Sequence, residues 1–533
     1  MPTSPARDTD APVSYHRHAR VGVIRIDHPP VNAVGQAVRQ GLLDALQEAL
    51  ADDVTEALVL LAAGRTFIAG ADIREFGQPP QAPLLPDVIA ALEASAKPLI
   101  AVLHGTALGG GLEVALGCHL RIALAGTRVG LPEVKLGLLP GAGGTQRLPR
   151  LAGIEGALDM ITSGRFVDAG EARADGVVDD VVTATDPLEA GLAAAEKLLA
   201  GRYTPRATGE LPAPNADPEV CERYRRQLAS DASYLFSPFR CVDAIEAATQ
   251  LPFAEGLRRE RDLFLECMES PQRAGMIHAF FAARGTHKVP GADAEASLTT
   301  LGFVGEHALF ETLIAAAAKT GVRLLRVDDE AGGEGVEACL VAPDADESRR
   351  QAIRDALPAA TPWIDVSIPQ GMPDALPDRP GDANLMLSPR DSSQPICELV
   401  DRTDNPALIQ ALANTLRRLK RQVVVTRGES VIAALDDALR RSLENNAEAQ
   451  AVAWRIEGWD LSPWLPAGAT TGDTVVDCDD ARRPLDTAWQ CTAREISRAG
   501  HIHRDGDIDV LAIHAFGYPA HRGGPMFQAG LVG

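Results

Sequence analysis

Two glutamates stand where proton-transfer chemistry is possible. Glu113 ends the run His104-Gly-Thr-Ala-Leu-Gly-Gly-Gly-Leu-Glu113, three residues past Gly110. Glu133 lies in Gly130-Leu-Pro-Glu-Val-Lys-Leu-Gly137, 20 residues further on. Two carboxyl groups can hold one water between them, one acting as base while the other keeps its proton. Three consecutive glycines after a buried strand and before a helix let another group approach the backbone. The helix that follows offers unpaired N–H groups and the positive end of its dipole, a setting that stabilises an oxyanion. A third run, Arg65-Thr-Phe-Ile-Ala-Gly-Ala-Asp-Ile-Arg-Glu75, carries another small-residue turn. Taken singly, each feature has a plain alternative: Glu113 capping a helix, Glu133 a surface acid, the glycines an ordinary turn.

The elements that must position these groups read as layered α/β structure. Val21–Ile26, Leu58–Ala62 and Lys97–Leu103 are apolar strand candidates. Residues 37–51 place Val38, Leu42, Ala45, Leu46 and Ala49 on one helical face. Leu58–Ala62 is apolar throughout, as expected of a strand buried on both faces. Strands alternating with helices over the first ~180 residues predict a layered domain. Residues 205–218 read as a Pro- and Ala-rich linker and residues 219–285 as helical. Residues 298–342 return to α/β, and residues 358–389 carry seven prolines. Pro406–Lys420 reads as an amphipathic helix capped by Asn405, and Gln422–Thr426 as a strand. The tail from Ile508 has a strand-like start.

The three runs, in this order, closely resemble the crotonase (enoyl-CoA hydratase/isomerase) superfamily over roughly Val13–Thr185. The resemblance implies a ββα spiral domain. It implies that Ala71 and Gly110 supply the two oxyanion N–H groups. Glu113 and Glu133 then match the hydratase acids, Gly141 a backbone position that helps hold the water, and Ala69, Gly70, Asp72 and Ile73 the segment bordering coenzyme A. The implied reaction adds water across a trans-2-enoyl-CoA thioester. Which glutamate is acid and which is base stays open, with Glu133 favoured as the acid. A Δ3-Δ2 enoyl-CoA isomerase is the alternative within the same fold, and an acyl-CoA-binding scaffold of a fatty-acid oxidation complex is the non-catalytic one.

Further segments resemble the multifunctional fatty-acid oxidation proteins, which fuse a hydratase to an NAD-dependent 3-hydroxyacyl-CoA dehydrogenase. These are Arg240–Glu246, Leu251–Gly256, Glu266–Ser270, His278–Phe281, Asp507–Val510 and Gly517–Met526. The middle departs from that pattern. A dinucleotide site needs strand, GxGxxG and helix. The corresponding stretch is Gly305-Glu-His-Ala-Leu-Phe310, so His307 and Phe310 stand where glycines belong and Glu306 adds negative charge. Asp328 reads as a strand-end acid. Leu385 replaces the catalytic histidine of the family's His-Phe-Phe segment, Glu398 matches an acid left with nothing to orient, and no Asn occurs between Ser430 and Arg441. Neither bound NAD nor dehydrogenase activity is expected. The predicted organisation is a disordered tail (1–14), a crotonase-like domain (15–190), a linker and helical segment (191–290), a degenerate, shortened Rossmann-like domain (291–427) and a helical remnant (428–533).

Composition closes off other classes. Fifty-one basic against 73 acidic residues give a net charge of −22, a poor match to a nucleic-acid binder. No apolar run approaches the ~18 residues of a membrane span. The eight cysteines form no CxxC pair. His119, His278 and His514 sit among apolar residues and read as core or boundary histidines, so no metal site is expected. The first residues lack an apolar stretch, and Gly530–Gly533 match no peroxisomal or retention address. A cytoplasmic protein with reduced thiols is therefore expected, with an acyl-CoA thioester as its ligand and a thiolase or a second copy as its protein partner.

Overall fold

The computed structural model describes residues 11–75, 78–215, 217–286, 289–290, 295–327, 334–369, 382–391, 393–403, 405–444, 446–465 and 477–532. The chain forms two compact units, residues 1–273 and 274–533.

The first unit runs β1 (Val13–His18), β2 (Val21–Ile26), α1 (Gln36–Ala51), β3 (Ala57–Ala62), α2 (Leu85–Glu93), β4 (Leu99–Leu103), β5 (Thr106–Leu108) and α3 (Gly110–Leu116). It continues through β6 (Leu120–Leu124), β7 (Arg128–Gly130), α4 (Gly144–Ser163), β8 (Val167–Asp168), α5 (Ala169–Ala174), β9 (Asp180–Val182) and α6 (Pro187–Leu199). α7 (Pro218–Asp231), α8 (Ser237–Gln250) and α9 (Phe253–Glu269) complete it, and α10 (Pro271–Gly285) leads into the second unit. One sheet has the order β1-β2-β3-β4-β6-β9, parallel except for β1 against β2. Its central strands β3 and β4 are buried at every position, which is why they are apolar throughout rather than alternating. A smaller sheet has the order β5-β7-β8.

The chain crosses from the large sheet to the small one twice in the same manner. β4 gives way to β5 and then α3, and β6 gives way to β7 and then a short 3-10 turn, Glu133–Leu136. At the first crossing Gly105 has φ +61 and packs onto the Arg65 carbonyl, an approach no side chain would allow. These are the ββα turns expected of the spiral.

Three boundaries differ from the expectation. Residues 1–10 of the expected tail lie outside the described residues, and Val13 already pairs with Ile26 in the sheet. The segment after 190 is not a separate linker. Val220, Cys221, Cys241, Val242, Ile245, Leu263 and Cys267 are buried in the same core as Leu42, Leu60 and Leu112. Within the Pro-rich stretch 205–218, Thr208 is fully buried and the Gly209 amide donates to Glu93 Oε1 at 2.8 Å.

The second unit carries β10 (Thr300–Val304), α11 (Ala308–Ala317), β11 (Arg323–Arg326), β12 (Ala338–Val341), α12 (Glu347–Ala356), β13 (Trp363–Ser367), β14 (Ala383–Leu387), β15 (Ile396–Asp401), α13 (Pro406–Arg418) and β16 (Gln422–Arg427). The sheet order is β11-β10-β12-β13-β14-β15-β16, with β10 to β14 parallel and β15 antiparallel to β14. This is the expected Rossmann-like layer. α14 (Val431–Leu443), α15 (Ala447–Ile456), α16 (Cys478–Ala499), α17 (Gly506–Phe516) and α18 (Pro525–Gln528) follow. They share a core with the sheet, since Met386, Ile396 and Val424 pack with Trp454, Trp489 and Phe516. Residues 428–533 are thus not a separate domain. The strand-like start at Ile508 is helix α17: its run is apolar apart from Asp509 because Ile508–Ala512 are almost wholly buried, not because it joins a sheet.

Candidate active site

The paired ends of the small sheet place the two acids. β5 and β7 run parallel with Leu108 opposite Gly130, and the Gly109 amide donates to the Gly130 carbonyl at 2.9 Å. The chain leaves both strands at the same end, so the first turn of α3 and the 3-10 turn carrying Glu133 lie side by side. A third pass joins them: Ile68 bridges Ala107, and Leu108 N donates to the Ile68 carbonyl at 3.0 Å. Residues 69–72 therefore fall beside residues 109–110.

Ala71 and Gly110 lie close together. A Cβ built on Gly110 would stand 3.5 Å from the Ala71 nitrogen and 2.8 Å from the Leu85 side chain. Gly110 is the first residue of α3, so its N–H has no partner within the helix. The two N–H groups belong to adjacent backbone segments, and the bare Cα of Gly110 lets the Leu85 side chain pack close beside them. Gly109 has φ +53, and its bare Cα makes room for the Glu133 carboxyl: a Cβ there would lie 2.9 Å from Glu133 Oε1.

Glu113 is buried, and its Oε1 accepts from the amides of Ala142 and Gly144 at 2.8 and 2.9 Å. Burial pushes its carboxyl up from the usual range, against the pull of those two amides and of the Arg147 charge. Glu133 is partly buried, but its Oε2 is sealed from solvent with no hydrogen-bond partner. Burial and then the charge of Glu113 raise it well above the ordinary carboxylate range. An acid with one sealed, unpartnered oxygen beside a second acid favours its neutral form.

The remaining expected positions are distributed around this point. Gly141 packs beneath the Phe264 ring, 2.6 Å from where its Cβ would be, while the neighbouring amides of Ala142 and Gly144 turn to Glu113. Ala69 N donates to the Val31 carbonyl at 3.1 Å, and the Gly70 carbonyl accepts from Val34 N at 3.0 Å. Asp72 is engaged by Arg74 at 2.6 Å, and Ile73 opens a short 3-10 turn ending at Glu75. Arg74 holds the Asp72 carboxyl below its usual range.

One buried acid escaped the sequence reading. Glu260 on α9 is 1% exposed and accepts from the Gly143 and Thr145 amides at 2.6 and 2.9 Å. Its neighbours, Arg258 to Asp262, look like a solvated charged face. The available signal was the stripe Gly256, Glu260, Leu263, Cys267, which sets a glutamate at a buried helical position.

In the second unit, β10 leads to Gly305 (φ +90), where a Cβ would lie 2.7 Å from Asp344 Oδ1. The Glu306 amide donates to Asp344 at 3.0 Å, and His307 Nδ1 accepts from Leu309 N at 3.2 Å, capping its own helix α11. Two acids and an imidazole thus occupy the helix end where a pyrophosphate would need bare backbone N–H groups. Phe310 is buried against Phe303. Asp328 lies outside the described residues. Leu385 is buried within β14. Glu398 is fully buried, accepting from Thr426 Oγ1, Ser430 Oγ and the amides of Val431 and Ile432 at 2.6–3.0 Å. It anchors the start of α14.

Of the three histidines, His119 Nδ1 accepts from Leu99 N at 3.0 Å and His278 pairs with buried Asp509 at 2.8 Å. His514 is exposed on α17 rather than in the core. Among the described residues no group of His, Cys, Asp and Glu is arranged to hold a metal, and no helix is long and apolar enough to cross a membrane.

A family model described as enoyl-CoA hydratase/isomerase matches residues 16–224. The peroxisomal bifunctional enzyme of Danio rerio is 40% identical over 320 residues, covering 58% of this chain and 44% of the relative. The peroxisomal bifunctional enzyme of Homo sapiens is 38% identical over 331 residues, covering 59% and 44%. A peroxisomal fatty acid beta-oxidation multifunctional protein of Oryza sativa subsp. japonica is 36% identical over 283 residues, covering 51% and 39%. The chain spans less than half the length of these curated relatives. Residues 16–224 are thus similar to the enoyl-CoA hydratase/isomerase family.

Proposed function

We propose that this chain hydrates trans-2-enoyl-CoA thioesters to 3-hydroxyacyl-CoA and does not oxidise the product. The observation that carries the reading is the convergence of Glu113 and Glu133 beside the paired backbone positions of Ala71 and Gly110. The thioester oxygen sits between the Ala71 and Gly110 N–H groups, which hold the negative charge that develops as water adds. Glu113, tied down by two amides, takes a proton from the water as its oxygen bonds to C3. Glu133, kept neutral by its surroundings, gives a proton to C2. The thioester enolate collapses to the saturated thioester, and proton exchange between the two acids and solvent restores the start. Gly141 and its neighbours shape the water side, and Ala69–Ile73 border the coenzyme A moiety. No electrons leave the substrate, so this chemistry calls for no redox cofactor.

The residues at the start of α11 do not fit a dinucleotide. Glu306 and Asp344 would repel its pyrophosphate, and His307 already fills the helix cap. With Leu385 in place of a base and Glu398 consumed as a helix anchor, the second unit supports no hydride transfer. The six buried thiols among the eight cysteines suit a reducing compartment. The cytoplasm is proposed on that ground, although the relatives are named peroxisomal. A thiolase or a second copy is the proposed protein partner.

The test is a hydration assay on purified chain with trans-2-enoyl-CoA substrates from crotonyl-CoA upward, with and without NAD. Loss of the conjugated absorbance without NADH formation is expected, and Glu133→Gln should slow it by about 10²–10⁴-fold. Migration of the double bond in a 3-enoyl-CoA without hydration would instead make the chain an isomerase. Tight acyl-CoA binding without turnover would make it a scaffold. Saturable NADH binding at micromolar concentration would overturn the reading of the second unit.

A further inference from the structure

A helix more than a hundred residues from either acid reaches their surroundings. α9 carries Gly256, Leu257, Glu260 and Phe264 at the spacing of one helical face. Each meets the run Gly141–Gln146. Gly256 lets the Gln146 side chain approach its bare Cα, Leu257 lies 3.2 Å from the Cβ position of Gly143, and Phe264 covers Gly141. Glu260 stands in the middle. Its Oε1 accepts from Gly143 N at 2.6 Å, and its Oε2 accepts from Thr145 N at 2.9 Å and Thr145 Oγ1 at 2.5 Å.

Four successive amides are therefore dealt alternately to two carboxyl groups. Ala142 and Gly144 donate to Glu113, and Gly143 and Thr145 donate to Glu260. These are the amides at the start of α4, which its own turns leave unpaired. Two acids accepting from alternate amides of one backbone run oppose its rotation.

We infer that Glu260 is a positioning residue for hydration, holding the amides of Gly143 and Thr145 so that those of Ala142 and Gly144 stay aimed at Glu113. A residue kept only to fill space at this point would be cheaper as an amide or an apolar group. A third buried acid costs desolvation, and the charge of Glu113 disfavours its ionised form. The inference rests on the hydratase reading for its kinetic consequence and on geometry alone for the grip itself.

Glu260→Gln keeps the volume but turns an NH2 group toward backbone N–H donors. The expected result is a fall in kcat of about 10- to 100-fold with KM within about threefold, the pattern of a misplaced catalytic group. Because Glu260 acts through Glu113, Glu260→Gln should cost less than about threefold when added to Glu113→Gln. Full multiplication of the two effects, or a folded Glu260→Gln protein with wild-type kcat, would overturn the inference. Amide hydrogen exchange of a peptide spanning residues 138–148 supplies a readout independent of turnover. It should speed up at least tenfold in Glu260→Gln, and unchanged exchange would refute the grip. If the wild-type chain hydrates nothing while exchange still rises, the hydratase reading falls and the grip stands. Should Glu260→Gln fail to fold, Thr145→Val removes one donor only. A three- to tenfold loss in kcat at steady KM is then expected, and wild-type kcat would count against the inference.

Discussion

The Glu133 carboxyl rests on the bare Cα of Gly109: a Cβ at that position would come within 2.9 Å of Glu133 Oε1. The same glycine has φ +53 and ψ −130, a backbone region closed to most side chains. One residue thus turns the chain from β5 into α3 and leaves the hollow that the acid fills. Gly109→Ala should strain the turn and push Glu133 away from the water. A drop in hydration kcat of at least about 100-fold is expected, measured by steady-state kinetics on protein whose circular dichroism matches wild type. Wild-type kcat would show that Glu133 does not need that hollow.

The two acids should shape the pH profile separately. Glu133 is raised well above the ordinary carboxylate value of ~4.3, by burial first and the charge of Glu113 second. In the proposed role of proton donor it keeps its proton at neutral pH, so its titration should leave kcat/KM steady through neutrality and lower it on the alkaline side. Glu113 sets the acid limb. Glu113→Gln and Glu133→Gln should each lower kcat by about 10²–10⁴-fold. The residual Glu113→Gln rate should lose its acid limb and show its alkaline limb at lower pH, since the neighbouring charge is gone. A wild-type rate that already falls above pH ~5 would contradict this assignment.

Stability should carry the mark of Glu260. Burial, then the charge of Glu113, push its carboxyl up to about 8, against the pull of Thr145 and Gly143. In the unfolded chain the same group titrates near ~4.3. Between those values the native protein holds a proton that the unfolded chain releases, so its contribution to stability falls as pH rises. The thermal midpoint of unfolding should decline from about pH 5 to 8, and Glu260→Gln should flatten that decline. An unchanged slope in the variant, by scanning calorimetry, would show that Glu260 does not titrate in this window.

Glu398 offers a contrasting case, an acid whose four donors belong to α14 and β16. Glu398→Ala leaves those donors buried and unpaired, at about 1–3 kcal/mol for each one not rescued by water. Unfolding in urea should show a loss of several kcal/mol from the second unit. A variant as stable as wild type would mean that the start of α14 is held by other groups.

Much of the first unit was legible from its residues. Leu58–Ala62 is continuously apolar because β3 is covered on both faces, and residues 37–51 show one apolar stripe because α1 has one covered face. The boundaries after residue 190 were not legible. Helices α7 to α9 have charged outer faces, and what makes them part of the first unit is burial of Cys241, Ile245 and Leu263 in a core assembled from distant segments. Ile508–Ile513 misled for a related reason. A short apolar run has no readable period when nearly every side is covered.

Residue type and local spacing marked two acids, a glycine run and a small-residue turn as candidates, and the order of those runs, through its resemblance to a known family, joined them in one kind of chemistry. They also set the expectation that Gly305–Phe310 does not cradle a phosphate, since a glycine absent from the sequence is absent in any fold. Tertiary structure decided which groups tune the acids. The parallel register of β5 on β7 brings Glu133 to Gly109, and the packing of α9 on the start of α4 brings Glu260 to the amides beside those of Glu113. Burial and charge proximity act through space, so the protonation of an acid depends on neighbours that sequence distance does not reveal.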